Sequence, residues 1–195
     1  NFYFPNREIS KKGIDKAFST SNLPLRGGKG WMYEGGIRVP LIIKWQGKGL
    51  QGVVSDVPVT SPDFYPTIVE MIGLEVENKN QKDGISMVPL LNGKQKLERE
   101  AIYWHFPHYS NHGNQSPGGV IRSGDYKLLE YFENNTIQLF NLTKDIGEQN
   151  DLSTVEPGIV NKLRLLLTNW RSNVNAQMML PNCEYDENEV IYESK

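Results

Sequence analysis

Residues 22–40, NLPLRGGKGWMYEGGIRVP, set one lysine among glycines in a loop that runs straight into an apolar stretch. Glycines allow positive φ and close backbone approach, so Gly27, Gly28 and Gly30 leave the Lys29 ammonium free of neighbouring side chains. A compact cation so presented suits a tetrahedral oxyanion. Trp31, Met32 and Tyr33 follow, and Glu34-Gly35-Gly36 makes a second turn before Ile37, Val39, Leu41, Ile42 and Ile43. That β-branched run predicts a strand over 37–45, covered on both faces as in an α/β sheet. Pro40 removes one ladder donor and argues for an edge, a bulge or the strand's first residues.

The competing phosphate-binding P-loop needs a glycine where Leu23 stands and a Ser or Thr where Gly30 stands, so it is rejected. A bare GGKG tetrapeptide is more often a solvated turn than a site, and it is the flanking residues that favour the site. The 195 residues, 38% hydrophobic and 23% charged, suit one domain or slightly more with a real core. A net charge of -2 and no basic stripe with interleaved aromatics exclude the usual electrostatics of nucleic-acid binding. No apolar run approaches the roughly 20 residues of a membrane span. A single cysteine, Cys183, excludes an internal disulfide framework.

Along the chain, residues 1–21 read as a polar surface loop. Ser61 or Asp63 caps a helix with Pro66 in its first turn, and Phe64, Ile68, Val69 and Ile72 give it one apolar face to lay on the sheet. Residues 75–96 are polar and rich in turn signals, placing a boundary near Leu97. Strands are predicted over 101–105, 119–123, 126–132 and 136–140, joined by Gly-Asp and Glu-Asn-Asn turns as an antiparallel meander. Ile159, Leu163, Leu166, Leu167, Trp170 and Val174 recur at helical spacing, as an amphipathic helix laid across that meander requires. The expected divisions are therefore 1–96, 97–182 and an acidic tail at 183–195.

The stretch LRGGKGWMYEGGIRVPLIIKW resembles the C-terminal signature of the sulfatase family, within the alkaline-phosphatase-like superfamily. The likeness continues through Ser55-Asp56, TSPDFYPT at 60–67, Asp83-Gly84-Ile85-Ser86, Pro89-Leu90-Leu91, Arg99-Glu100, IRSGDYK at 121–127 and LFNL at 139–142, with Asp145, Glu148 and Asn150. It implies an α/β fold of which this chain is a C-terminal fragment, the end of a large mixed sheet plus a small α+β subdomain. It further implies that the full-length protein hydrolyses a sulfate ester, with a carbohydrate as the expected substrate, through a formylglycine and a calcium ion, with Lys29 contacting the sulfate as catalytic and substrate-binding residue. A periplasmic or secreted location is expected on the same ground.

The chain has no Cys or Ser in the C/S-x-P/A-x-R setting that yields formylglycine, since Cys183 is followed by Glu184, Tyr185 and Asp186, and it has no Asp-Asp pair for calcium. With no initiator Met, signal peptide or first strand, a portion of a longer enzyme is expected rather than a pseudoenzyme. Alone it is expected to be inactive, to hold neither cofactor, and to have the missing N-terminal part and a sulfated small molecule or glycan as partners. Two rival readings stay open: a phosphatase or phosphodiesterase of the same superfamily, and a non-catalytic glycan-binding module.

Among other candidates, Arg26 reads better as a surface residue or carboxylate partner than as a second cation, and Glu34 and Arg38 as pairing with local backbone or charges rather than touching substrate. The segment YWHFPHYSNHG, with His105, His108 and His112, reads equally as a sugar-binding wall or as plain packing, and less well as zinc ligands, because no converging Cys or carboxylate accompanies it. His105 and His108 adjoin the strand end and are the better substrate-binding candidates. Arg122 and Asp125 read as structural, flanking a tight turn.

Overall fold

The computed structural model describes residues 21–74, 83–109 and 115–180. The readings made for 1–20, 75–82, His112, Cys183 and the acidic tail lie outside those residues. Its centre is a four-stranded antiparallel meander, β1 (Ile102–Phe106), β2 (Gly118–Ser123), β3 (Tyr126–Tyr131) and β4 (Ile137–Asn141), paired in chain order. The β2–β3 turn is closed by Gly124 at φ 55°, and the register sets Val120 opposite Leu129 and Ile121 opposite Leu128. Side chains alternate between sheet faces. Ile121, Leu128 and Leu139 therefore share one face, while Val120, Leu129 and Phe140 share the other.

The first face is covered by helix α4 (Pro157–Asn173), which begins with proline in its first turn and buries Val160, Leu163 and Leu167. Trp170 stacks on Tyr103 of β1 at 4.8 Å between ring centroids, nearly parallel. Each of these aliphatic burials stabilises by about 1.5 to 3 kcal/mol. Met32 and Tyr33, from the lysine loop, cover the second face, with Trp31, Trp104 and Phe106 around them. The meander and its crossing helix thus form where the spacing placed them, each strand within about two residues of its expected ends.

Two expectations are corrected. Residues 38–45 run without regular structure, and the only helical turn nearby is α1 (Glu34–Ile37). A strand forms only when its N–H and C=O groups meet a neighbour, and the four described strands pair solely with one another. Ile42 is accordingly 94% exposed. Helix α2 (Phe64–Met71) follows a 3-10 turn at Ser61–Asp63, as expected, but since residues 38–45 form no strand, the described residues offer no sheet there for its apolar face to cover. Phe64, Ile68 and Ile72 face solvent, Ile72 at 65% exposure.

What α2 does bury is its N-terminal carboxylate. Asp63 accepts the N–H of Thr60 at 2.7 Å and of Ile85 at 2.8 Å, and it forms a two-pronged ion pair with Arg99. Thr67 extends the anchorage by donating to Asp63 O and accepting Met87 N–H at 2.8 Å, which seats α3 (Val88–Leu91) beside α2. Burial pushes the Asp63 carboxyl up, but the Arg99, Ile85 and Thr60 hydrogen bonds outweigh it and hold the group below its ordinary value.

Candidate functional site

The Lys29 turn is built from its own backbone. Trp31 N–H donates to Gly28 O at 3.0 Å, closing a four-residue turn with Lys29 at its corner. Gly30, third in the turn, takes φ 93°, a value open to glycine and costly for other residues. Gly35 N–H donates to Arg26 O at 2.8 Å, and Asn22 Nδ2 donates to Gly35 O at 2.6 Å, so the loop folds back on itself. Gly35 and Gly36 are required by contact. A Cβ on Gly35 would meet Arg26 O at 2.6 Å, and one on Gly36 would meet Gly28 O at 2.5 Å. Lys29 itself is exposed, and among the described residues it joins no ion pair or hydrogen bond.

Beneath the turn the loop is pinned to the sheet by polar contacts. Met32 N–H donates to the buried Gln115 Oε1 at 3.0 Å, and Tyr33 OH donates to Gln138 Oε1 at 2.7 Å while accepting from Tyr131 OH at 3.1 Å. Burial raises the Tyr131 phenol above its ordinary pKa, and the bond to Tyr33 adds to the rise, keeping it a neutral donor. The Arg26 guanidinium lies 3.9 Å over the Tyr33 ring and donates to Glu148 O at 2.8 Å. Arg26 is thus bound to a ring and a backbone carbonyl, and the carboxylate partner anticipated for it is not what it meets.

A buried ionic cluster completes the support. Lys127 Nζ, wholly inaccessible, sits 3.0 Å from Glu34 Oε1 and 2.9 Å from Glu148 Oε1. Glu148 Oε2 accepts the Glu34 N–H at 2.7 Å, and Arg122 and Arg38 approach Glu34 Oε2 at 3.6 and 3.9 Å. Burial pushes the Glu148 carboxyl above its ordinary value despite the opposing pull of Lys127. Asp145 Oδ2 accepts the N–H groups of Gln149 and Asn150, folding the β4–α4 connection so that Glu148 stands at φ 51°. Of the local pairing expected for Glu34 and Arg38, only their mutual approach at 3.9 Å is local, since the closest partners of Glu34 are the distant Lys127 and Glu148; Arg122 is structural through an ion pair rather than through its turn. Burial of Lys127 was missed, although the sequence held a signal: 127 shares strand parity with Leu129 and Tyr131, so a lysine there faces the core and needs partners.

The histidines lie at the end of β1. His108 is exposed, its ring edge-on to Phe106, which packs with Met32 and so belongs to the loop's side of the sheet. His105 points to the opposite face, its Nε2 2.7 Å from Gln177 O and its ring 5.6 Å from Phe132. His108 thus touches a residue on the loop's side of the sheet, while His105 faces the other side. Among the described residues no three His, Cys, Asp or Glu side chains converge as metal ligands, so these residues supply no cage for calcium or zinc.

The family described as "N-sulphoglucosamine sulphohydrolase, C-terminal" matches residues 28–173. A sulfatase of Formosa agariphila is 34% identical over 184 residues, covering 85% of this chain and 33% of its own length. Among solved structures, Ps i-CgsB is 31% identical with a TM-score of 0.65, covering 77% of this chain and 32% of that one, and it has also been solved in complex with k-i-k-neocarrahexaose. A 2-O GAG sulfatase is 28% identical with a TM-score of 0.50, covering 58% of this chain and 25% of that one. The chain thus spans about a third or less of the length of the relatives it matches.

Proposed function

The chain belongs to the sulfatase family, and we propose that it is the C-terminal portion of an enzyme that hydrolyses sulfate esters of a carbohydrate, with Lys29 contacting the sulfate. The single observation that carries this reading is an exposed ammonium at the corner of a turn whose flanking residues are hydrogen-bonded to Gln115 and Glu148 of the folded domain. Support for the substrate class comes from the 2-O GAG sulfatase and the k-i-k-neocarrahexaose complex of Ps i-CgsB among the similar structures. Hydrolysis breaks the bond between sulfur and the ester oxygen and leaves negative charge on that oxygen. A fixed cation within reach of the sulfate offsets the charge as it grows, without having to reorganise at the moment of reaction.

The formylglycine nucleophile and the calcium ion that the resemblance implies are assigned to polypeptide beyond the described residues. The same polypeptide is assigned to cover Val39, Ile42, Phe64, Tyr65, Ile68 and Ile72, apolar side chains that the described residues leave exposed. If so, the isolated chain binds a hydrophobic dye that the full-length protein does not; equal binding by both would reject the assignment.

In the full-length protein, Lys29→Ala is expected to lower turnover of a sulfated oligosaccharide by about a hundredfold or more, with an unchanged melting temperature. A variant that turns over at the parental rate would remove Lys29 from the reaction. Retained binding of both sulfated and unsulfated sugars with no turnover by the full-length protein would favour the glycan-binding module instead.

A further inference from the structure

Lys29 is exposed and makes no pairing contact among the described residues, yet both arms of its turn end on one short segment, the connection between β4 and α4. On the entering arm, Arg26 donates through Nη1 to Glu148 O. On the leaving arm, the N–H of Glu34 donates to Glu148 Oε2. The arms are tied to each other by Gly35 N–H on Arg26 O. Glu148 therefore receives the loop from both sides, once through its backbone and once through its carboxylate, and Lys127 locks that carboxylate to the Glu34 side chain.

We propose that Arg26, Glu34, Lys127 and Glu148 form a clamp of positioning residues that fixes where the Lys29 ammonium stands. The inference rests on the reading of Lys29 as the sulfate contact, and it assigns a catalytic purpose to charges that stability alone does not demand. A buried ion triad is a poor source of stability, because desolvation cancels most of its attraction, and apolar residues of equal volume hold a fold as well. Its directional bonds do what apolar contacts cannot, setting an angle as well as a distance. Glu148 also occupies φ 51°, a conformation that non-glycine residues seldom adopt and that persists where surrounding contacts impose it. The Tyr33 ring under the Arg26 guanidinium fixes the plane of that fork, which a lysine in its place would not reproduce.

The test is a double-mutant cycle in the full-length protein with Arg26→Ala, Lys29→Ala and both together, reading kcat, KM and the melting temperature on a sulfated oligosaccharide. Arg26→Ala is expected to lower kcat by about ten- to a hundredfold with little change in KM. In the Lys29→Ala background the same substitution is expected to cost nothing further, because the group it positions is gone. Arg26→Lys, which keeps a donor for Glu148 O but loses the planar stack, is expected to fall between parent and Arg26→Ala. Should Arg26→Ala fail to fold, Glu148→Gln replaces it in the cycle, since the amide oxygen can still accept the Glu34 N–H while its NH2 cannot pair with Lys127.

Equal losses in both backgrounds, or an unchanged kcat with only a lowered melting temperature, would overturn the clamp while leaving the Lys29 reading intact. An unchanged rate for Lys29→Ala alone would remove that reading, and the clamp with it.

Discussion

The two faces of the meander are held by different physics. On one, α4 lays Val160, Leu163 and Leu167 over Ile121, Leu128 and Leu139, and its ionic contacts with the sheet are those of Arg164 and Arg171 with Glu130 at the edge of this packing. On the other, Val120, Leu129 and Phe140 are interrupted by Lys127, Arg122 and Gln138, and what covers them is a loop fastened by named hydrogen bonds and ion pairs. Apolar packing is non-directional and tolerates small shifts, whereas a hydrogen-bonded charge holds its partner in one place. The helix face keeps the domain folded, and the loop face keeps one turn in register. A side chain can be deeply buried on either face for quite different reasons.

The largest effect that breaks this contrast is expected from Lys127→Met. It leaves Glu34 and Glu148 buried without their cation and should lower unfolding free energy by about 3 to 5 kcal/mol in urea titration. If the loss is below about 1 kcal/mol, the cluster is not the anchor described. Next, Leu167→Ala on the helix face should cost about 2 to 5 kcal/mol through lost burial and a residual cavity. In the full-length protein, activity per folded molecule should stay at the parental level, because none of the described contacts of the lysine turn reaches that side. A Leu167→Ala enzyme that is folded but slow would erase the division between the faces.

Acid sharpens the comparison, since only ionic anchors titrate. Asp63 has a folded pKa below its unfolded one, so its contribution is complete above the unfolded value of about 3.9 and is lost as pH falls through the folded value. Glu148 has the opposite sign: its folded value is raised, so the fold is favoured below the unfolded value and that contribution disappears as pH climbs through the folded one. The drop in stability between about pH 6 and about pH 3 should therefore shrink in Asp63→Asn and deepen in Glu148→Gln, read from denaturant midpoints. Matching acid profiles for the two variants would contradict the assigned directions. The smallest effect belongs to the rim, where Arg164 meets Glu130 at 3.2 Å while half-exposed. Arg164→Ala should change stability by about 1 kcal/mol or less.

Sequence periodicity made the helix face legible. Alternation in β2, β3 and β4, the Gly124-Asp125 turn and the leucine spacing of α4 depend on neighbours within the same segment, and these parts formed where expected. The loop face was legible only in part. GGKG and EGG announced the turn, but its attachment to Lys127 and Glu148 joins residues 93 and 114 positions apart, which no local pattern encodes. The run 37–45 and the outer face of α2 misled for a different reason. Their apolar residues state that something covers them, and they do not state that the cover lies within the four described strands. Of the two favoured histidines, period-two alternation alone separates His105 from Phe106, and hence from the loop's side.

The crowded glycines at 35 and 36 carry a lesson for anyone wishing to redesign this protein. Even a methyl group at either position collides with main-chain oxygen rather than with a movable side chain, so the smallest mutation is already too large. A library that randomises the neighbourhood of the lysine should leave those two codons fixed and place its diversity elsewhere on the rim.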